Sequence, residues 1–245
     1  FWIGPKIENY YMHGTTPSIY KPVTKQFTLG GNGAAYGAST SPGAGWAYKA
    51  DNGFAISSNF ATKEGHTSTG ILTREGATSW ATQVGYTKPN YSASVIVNMK
   101  YNGWADSYYT TPLGKARSNS ADSTNIGLRA WWRPDETGNK IPSVSLGYDT
   151  SSVDGQTQDT NAYFVGLTWQ DAFTPDDRIG LAFGQPQTRD DESVDPFAWE
   201  VYYTYQVNDS ISVTPALFGG IDRGGAKETG DTDLQGAVLE TTFKF

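Results

Sequence analysis

Apolar and polar residues alternate with a period of two through most of the chain, which is the pattern of β-strands with one apolar face. From Phe197 to Val207, one face carries aromatic and β-branched side chains, whereas the other is mostly small or polar. A tight turn at Asn208–Ser210 leads into a return strand, Ile211–Phe218, and a last strand runs from Gly236 to Phe245. The C-terminal stretch therefore predicts three consecutive antiparallel strands.

The same alternation recurs upstream and predicts further strands. They are Trp46–Lys49, Phe54–Phe60, Thr78–Thr87, Tyr91–Tyr101, Thr124–Arg133, Ile141–Tyr148, Asn161–Gln170 and Arg178–Gln185. We expect the region from Phe1 to Ser41 to add one to three more, including Lys25–Leu29. The pattern predicts an all-β protein, an antiparallel up-and-down sheet of about 14 strands in a range of about 12 to 16.

The length of these strands and the position of their aromatic residues favour a transmembrane β-barrel. Strands of about 10 residues match a tilted crossing of the bilayer, and short periplasmic turns are expected to alternate with longer external loops. Aromatic side chains near strand ends suit the two interfacial girdles of such a barrel. The girdle candidates are Trp80, Tyr86, Tyr91, Trp132, Trp169, Trp199, Phe243 and Phe245. The alternative is a soluble β-sandwich or barrel with its apolar face turned inward, for example a carbohydrate-binding protein.

The composition of the chain argues against several classes of function. The net charge of −7 argues against nucleic acid as a partner, because phosphate binding needs a basic surface. The chain has no cysteine, and its only two histidines, His13 and His66, lie far apart in loop-like sequence, so we expect no catalytic triad and no zinc site. The acidic loops lack a calcium-binding spacing. We therefore predict a protein that is not an enzyme and that holds no metal or cofactor.

Three stretches resemble a known family. The segment from Trp199 to Pro215 resembles the closing hairpin of cyanobacterial outer-membrane porins of the OprB-like, carbohydrate-selective porin superfamily. The ending from Leu239 to Phe245 matches the usual ending of that family, and Gly43–Tyr48 followed by Gly53 and Phe54 resembles its early hairpin. The resemblance is specific over roughly the last fifty residues and looser elsewhere.

The resemblance implies a porin barrel over residues 1–245, located in the cell outer membrane and assembled as a homotrimer. Full-length relatives of this type carry a surface-layer-homology domain and a coiled coil before the barrel, and the former attaches the protein to a peptidoglycan-linked polymer. We expect these modules upstream, since nothing in this sequence matches them. The outer-membrane bilayer and small solutes and ions are the other expected partners.

A porin selects solutes through the width and charge of a water-filled pore, so the inward side chains carry its function. The charged residues assigned to the polar faces are Arg129, Arg133, Lys100, Arg178, Glu200, Glu240, Lys244 and Lys49. Opposed basic and acidic walls would create a transverse field across the pore. The alternative is that these charges solvate the pore or pair with one another.

The long connection from Asn102 to Ser123 is a candidate constriction loop, although an extracellular loop or a subunit contact is equally compatible with its sequence. Its notable residues are Trp104, Asp106, Tyr108, Tyr109, Lys115 and Arg117. Sugar selectivity would need an aromatic track, and the inward aromatic residues Trp131, Tyr202 and Phe218 are scattered. We therefore expect passage of small solutes and ions in general, with a carbohydrate-selective channel or an envelope anchor as alternatives.

Overall fold

Twelve antiparallel strands form one sheet in which each strand pairs with the next in sequence. The computed structural model describes residues 1–8, 12–30, 33–36, 40–73, 75–104, 122–138, 140–155, 157–223 and 232–244, with backbone alone for 25, 26, 33 and 34. The strands are β1 (Trp2–Glu8), β2 (Thr40–Lys49), β3 (Phe54–Thr62), β4 (Thr78–Lys88), β5 (Tyr91–Tyr101), β6 (Ser123–Trp132), β7 (Ser143–Val153), β8 (Thr160–Gln170), β9 (Arg178–Arg189), β10 (Phe197–Asn208), β11 (Ile211–Ile221) and β12 (Leu234–Phe243). Within the described residues, β1 pairs only with β2 and β12 only with β11.

The all-β, up-and-down architecture is as predicted, and each strand predicted between Trp46 and Phe243 is present. The sheet has twelve strands, at the lower end of the expected range. The prediction of a strand at Lys25–Leu29 was wrong, because Lys25–Gly30 forms short 3₁₀ turns. Leu29 and Gly30 have φ values of 62° and 70°, which no extended strand accommodates.

Cross-strand pairing keeps the apolar side chains on one face of the sheet. Val84 lies opposite Val95, which in turn lies opposite Leu128, and the row continues through Tyr148 to Tyr163. These side chains are exposed on what we call the outer face. The opposite, inner face carries small and polar residues that are mostly buried.

Connections differ between the two ends of the sheet. The turn end holds residues 50–53, 89–90, 133–142, 171–177 and 209–210, whereas the loop end holds residues 9–39, 63–77, 102–122, 154–159, 190–196 and 222–233. The longest connection therefore lies at the loop end and joins β1 to β2. Of the helices in the described ranges, none is long and apolar enough to cross a membrane.

The β1–β2 connection packs against the inner face of the sheet. We call its described parts, residues 12–30 and 33–36, the inner segment. Its Tyr20 and Phe27 form a buried cluster with Phe164 on β8 and Tyr202 on β10. A second cluster joins residues 29, 35 and 36 of the inner segment to alanine and isoleucine side chains of β4 and β5. The inner face is thus covered by a segment of the same chain.

Candidate functional site

Polar side chains of the strands bind the backbone of the inner segment. Ser57 on β3 accepts a hydrogen bond from the Gly14 amide at 3.0 Å, and Gln83 on β4 accepts one from the Thr15 amide at 2.9 Å. Farther along the sheet, Ser145 on β7 accepts from the amides of residues 19 and 20, both at 3.2 Å. These bonds satisfy backbone donors that burial would otherwise leave unpaired.

Glu200, on the inner face of β10, is a fully buried anchor of this segment. Its carboxylate accepts from the Tyr20 hydroxyl at 2.8 Å, the Val23 amide at 3.2 Å and the Thr24 amide at 3.0 Å. The Thr24 hydroxyl donates a further bond. A buried carboxylate is tolerated when hydrogen bonds of this number replace its water.

Arg129, on β6, is a second buried anchor. Its Nη2 lies 2.8 Å from a carboxylate oxygen of Asp149 on β7, and both side chains are almost completely buried. Its Nε donates to the Leu29 carbonyl at 2.8 Å, and the guanidinium lies 5.3 Å from the centre of the Tyr36 ring. Arg129 therefore joins the sheet to the end of the inner segment rather than projecting into water.

Glycines on the inner face allow the segment to approach closely. A Cβ placed on Gly147 would lie 1.8 Å from the Gly30 carbonyl oxygen, and one on Gly166 would lie 2.7 Å from the Tyr20 ring. Gly85 and Gly127 face residues 15 and 35 of the segment in the same way. A row of small residues on a polar strand face is thus the sequence signal that could have indicated a segment packed there.

The remaining charged residues assigned to the pore fall into three groups. Arg178, Glu240 and Lys244 line a cavity at the turn end, and Lys49 lines a second cavity beside the inner segment. Lys100 is buried on the inner face of β5. Arg133 lies just beyond the end of β6, where its Nε donates to the Pro89 carbonyl at 2.7 Å, so it sits at the rim of the sheet.

The turn-end cavity has a volume of about 490 Å³, and its lining residues are all polar or charged. Its residues are Lys21, Asp176, Arg178, Thr204, Gln206, Asp209, Ser212, Thr214, Glu240, Thr242 and Lys244. The second cavity, of about 500 Å³, is bounded mainly by residues 13–22 of the inner segment, together with Thr28, Leu29 and Lys49. Lys21 borders both cavities and is exposed. No pattern in the sequence points to Lys21, because the segment that carries it has no clear periodicity.

The candidate constriction loop is described only at its edges. Trp104 is completely buried against Ile7 and Ala61, with the Lys63 Nζ 4.9 Å from the centre of its ring. The other residues named for that loop, Asp106, Tyr108, Tyr109, Lys115 and Arg117, lie outside the described residues. Trp131 and Tyr202, considered as part of an aromatic track, are buried beneath the inner segment.

The aromatic girdle candidates lie on the outer face in two rows. Tyr86, Tyr91, Trp132, Trp169 and Phe243 are near the turn end, and Trp80 and Trp199 are near the loop end. Phe245 lies outside the described residues. Six positions separate Trp80 from Tyr86, which corresponds to about 20 Å along a strand. Aliphatic side chains such as Val84 fill the band between the rows.

His13 of the inner segment contacts β3 through both nitrogens of its ring. Asn59 donates to its Nε2 and its Nδ1 donates to Ser57, both at 3.2 Å. Burial lowers the pKa of the imidazole from 6.5 to about 4. The described residues lining the adjacent cavity include Lys21 and Lys49 but no carboxylate, so a protonated ring would meet only like charge.

We expect binding of the inner segment to the sheet to weaken as the pH falls. A released His13 would take up a proton near pH 6.5, whereas the bound one does so only near pH 4. The contribution of the neutral ring is therefore complete above pH 6.5 and is lost as the pH falls through 4. Hydrogen exchange of the amides of residues 14 and 15 between pH 4 and 7 measures how strongly the inner segment is bound to the sheet. In His13→Asn the pH dependence should flatten, and an unchanged profile would contradict the role of His13.

Comparisons with known proteins identify one solved structure with a similar fold. No family model matches the sequence, and no curated protein matches it significantly. The high-pH structure of Pseudomonas putida OprB matches with a TM-score of 0.56 and 14% sequence identity, over 84% of this chain. The chain has the fold of OprB.

The likeness to OprB covers 59% of the OprB chain, so this chain spans less than two thirds of its length. Because the sequence identity is only 14%, the likeness concerns the path of the backbone. It agrees with the expected OprB-like fold. No cluster of three or more histidine, aspartate or glutamate side chains able to hold a metal occurs among the described residues.

Proposed function

We propose that this chain is the barrel part of an outer-membrane porin, a passive channel for small hydrophilic solutes and inorganic ions. The observation that carries the proposal is the division of one sheet into an apolar outer face and a polar inner face with charged cavities. Exposed aliphatic side chains between two aromatic rows fit the hydrocarbon band of a membrane barrel. The OprB fold supports the same assignment.

The polarity of the sheet favours this function over a soluble carbohydrate-binding protein. A soluble barrel would bury Val84, Val95 and Leu128 and would turn its charged residues to solvent. Here those three side chains are 43%, 38% and 48% exposed, respectively, on the outer face. Arg129 and Glu200 are instead buried on the inner face. Exposure of an apolar surface of this extent is costly in water but favourable in lipid.

General solute passage is favoured over sugar selectivity. Two of the three inward aromatic candidates, Trp131 and Tyr202, are covered by the inner segment, so they offer no surface on which sugar rings could stack. The turn-end cavity is lined by charged, hydroxyl and amide groups, which suit hydrated ions and small polar molecules. Assembly as a homotrimer, attached to the cell wall through upstream modules, is part of the same proposal.

Reconstitution of the full chain tests the function. We expect the detergent-purified protein to give discrete conductance steps in planar bilayers. Proteoliposomes should swell rapidly with salts and monosaccharides and more slowly with disaccharides, because a water-filled pore discriminates by size. A protein that stays soluble without detergent and leaves bilayers sealed would contradict the proposal. Swelling with sugars but not with ions of similar size would favour the carbohydrate-selective channel instead.

A further inference from the structure

The inner segment occupies the space through which a solute would move along the inner face. Its described residues are hydrogen-bonded to β3, β4, β6, β7 and β10, so it crosses most of the width of the sheet. The inner face of β12 remains uncovered, and Glu240 and Lys244 there face the turn-end cavity. A solute that moves along the inner face must therefore move past the exposed side of the inner segment.

Lys21 is placed at this passage. It borders the turn-end cavity and the second cavity, and its side chain is exposed. Ser145 accepts from the Tyr20 amide before it and Glu200 accepts from the Val23 amide after it, which fixes the backbone on either side. Of the residues that the structure describes, none forms an ion pair with Lys21.

We propose that the inner segment is the constriction of the channel and that Lys21 is the residue on it that sets the preference for anions over cations. This inference rests on the proposed porin function. It assigns the constriction to the β1–β2 connection and gives one side chain the deciding charge.

The charge balance of the two cavities supports the role of Lys21. Together their linings contain four basic side chains, Lys21, Lys49, Arg178 and Lys244, and three acidic ones, Asp176, Asp209 and Glu240. The described lining residues thus carry a net charge of one positive unit, and of their four basic groups only Lys21 borders both cavities. Replacement of Lys21 by glutamate changes the balance to one negative unit, which reverses the sign of the potential met by a permeating ion.

Reversal potentials measured across bilayers in a KCl gradient test whether Lys21 sets the preference for anions over cations. Lys21→Glu should shift the permeability ratio of chloride to potassium by roughly two- to fourfold toward potassium at about 0.1 M salt. Lys21→Gln should give about half that shift on a logarithmic scale, since it removes one charge rather than two. Near 1 M KCl the shift should shrink, because the Debye length falls to about 3 Å.

Lys140→Glu is the matched control. It makes the same change of charge on the β6–β7 connection, where the Lys140 carbonyl accepts a hydrogen bond from Trp169 of the outer face at 3.0 Å. The proposal is overturned if Lys21→Glu shifts the reversal potential no more than Lys140→Glu does. Sealed bilayers with the unchanged protein would reject the porin function itself. Open channels with an unshifted reversal potential would reject only the assignment of Lys21.

Discussion

Replacing Gly147 by valine is expected to raise single-channel conductance by about twofold or more, because it displaces the inner segment from the sheet. Even a Cβ at this position would lie 1.8 Å from the Gly30 carbonyl oxygen, which is a backbone atom and cannot rotate away. Leu29, held by Arg129, lies next to Gly30, so the displacement also breaks that anchor. The strands themselves are unaffected, since Gly147 keeps its pairing with residues 129 and 164.

Ala130→Val provides the control for Gly147→Val. Ala130 lies on the outer face of β6, opposite Leu146 and one residue from the Arg129 anchor, so the added methyl groups point away from the inner segment. Its conductance should stay at the level of the unchanged protein. If Gly147→Val also conducts normally while its circular dichroism spectrum still shows an intact sheet, the inner segment does not obstruct the channel.

Removing Arg129 alone should reduce the free energy of unfolding by about 3–5 kcal/mol, because it takes the ion-pair partner away from the buried carboxylate of Asp149. Arg129→Met keeps the length of the side chain without its charge. Unfolding in urea, followed by tryptophan fluorescence in detergent micelles, measures the loss. The double variant Arg129→Met/Asp149→Leu should recover most of the lost free energy, because both buried charges are then removed.

An exposed ion pair in the same chain is the matched comparison. Arg189 and Asp191 have side chains that are 32% and 40% exposed, against 1% and 2% for Arg129 and Asp149. Arg189→Met should therefore cost less than about 1 kcal/mol. Equal losses for Arg129→Met and Arg189→Met would show that burial of the Arg129–Asp149 pair does not govern its contribution.

The strands that have one apolar face could be predicted from the sequence alone. Alternation reports which residues share a face, and Tyr91–Tyr101 and its neighbours follow it without interruption. The first strand, Trp2–Glu8, could not be predicted in this way. A register shift between Gly4 and Ile7 places Ile3 opposite Ala44 and Ile7 opposite Ser41, so residues of the same parity lie on opposite faces.

The role of the inward charges could be predicted only in part. Alternation assigns Arg129 and Glu200 to the inner face, where both are buried, but it gives no information about what lies opposite that face. Both proved to be anchors of the inner segment, whose own residues lack a period because their conformation is imposed by bonds to distant strands. Arg178, Glu240 and Lys244 border a cavity that the inner segment lines only through Lys21 among its described residues.

The hydrogen bonds of the inner segment also imply an order of folding. His13 bonds to Ser57, 44 positions away, whereas Ile19 bonds to Ser145 at a separation of 126 and Tyr20 to Glu200 at a separation of 180. Contacts that close long stretches of chain form late. The inner segment is thus completed only after β10 is in place, although it precedes eleven of the twelve strands in sequence, so the sheet forms around an open space before that space is narrowed.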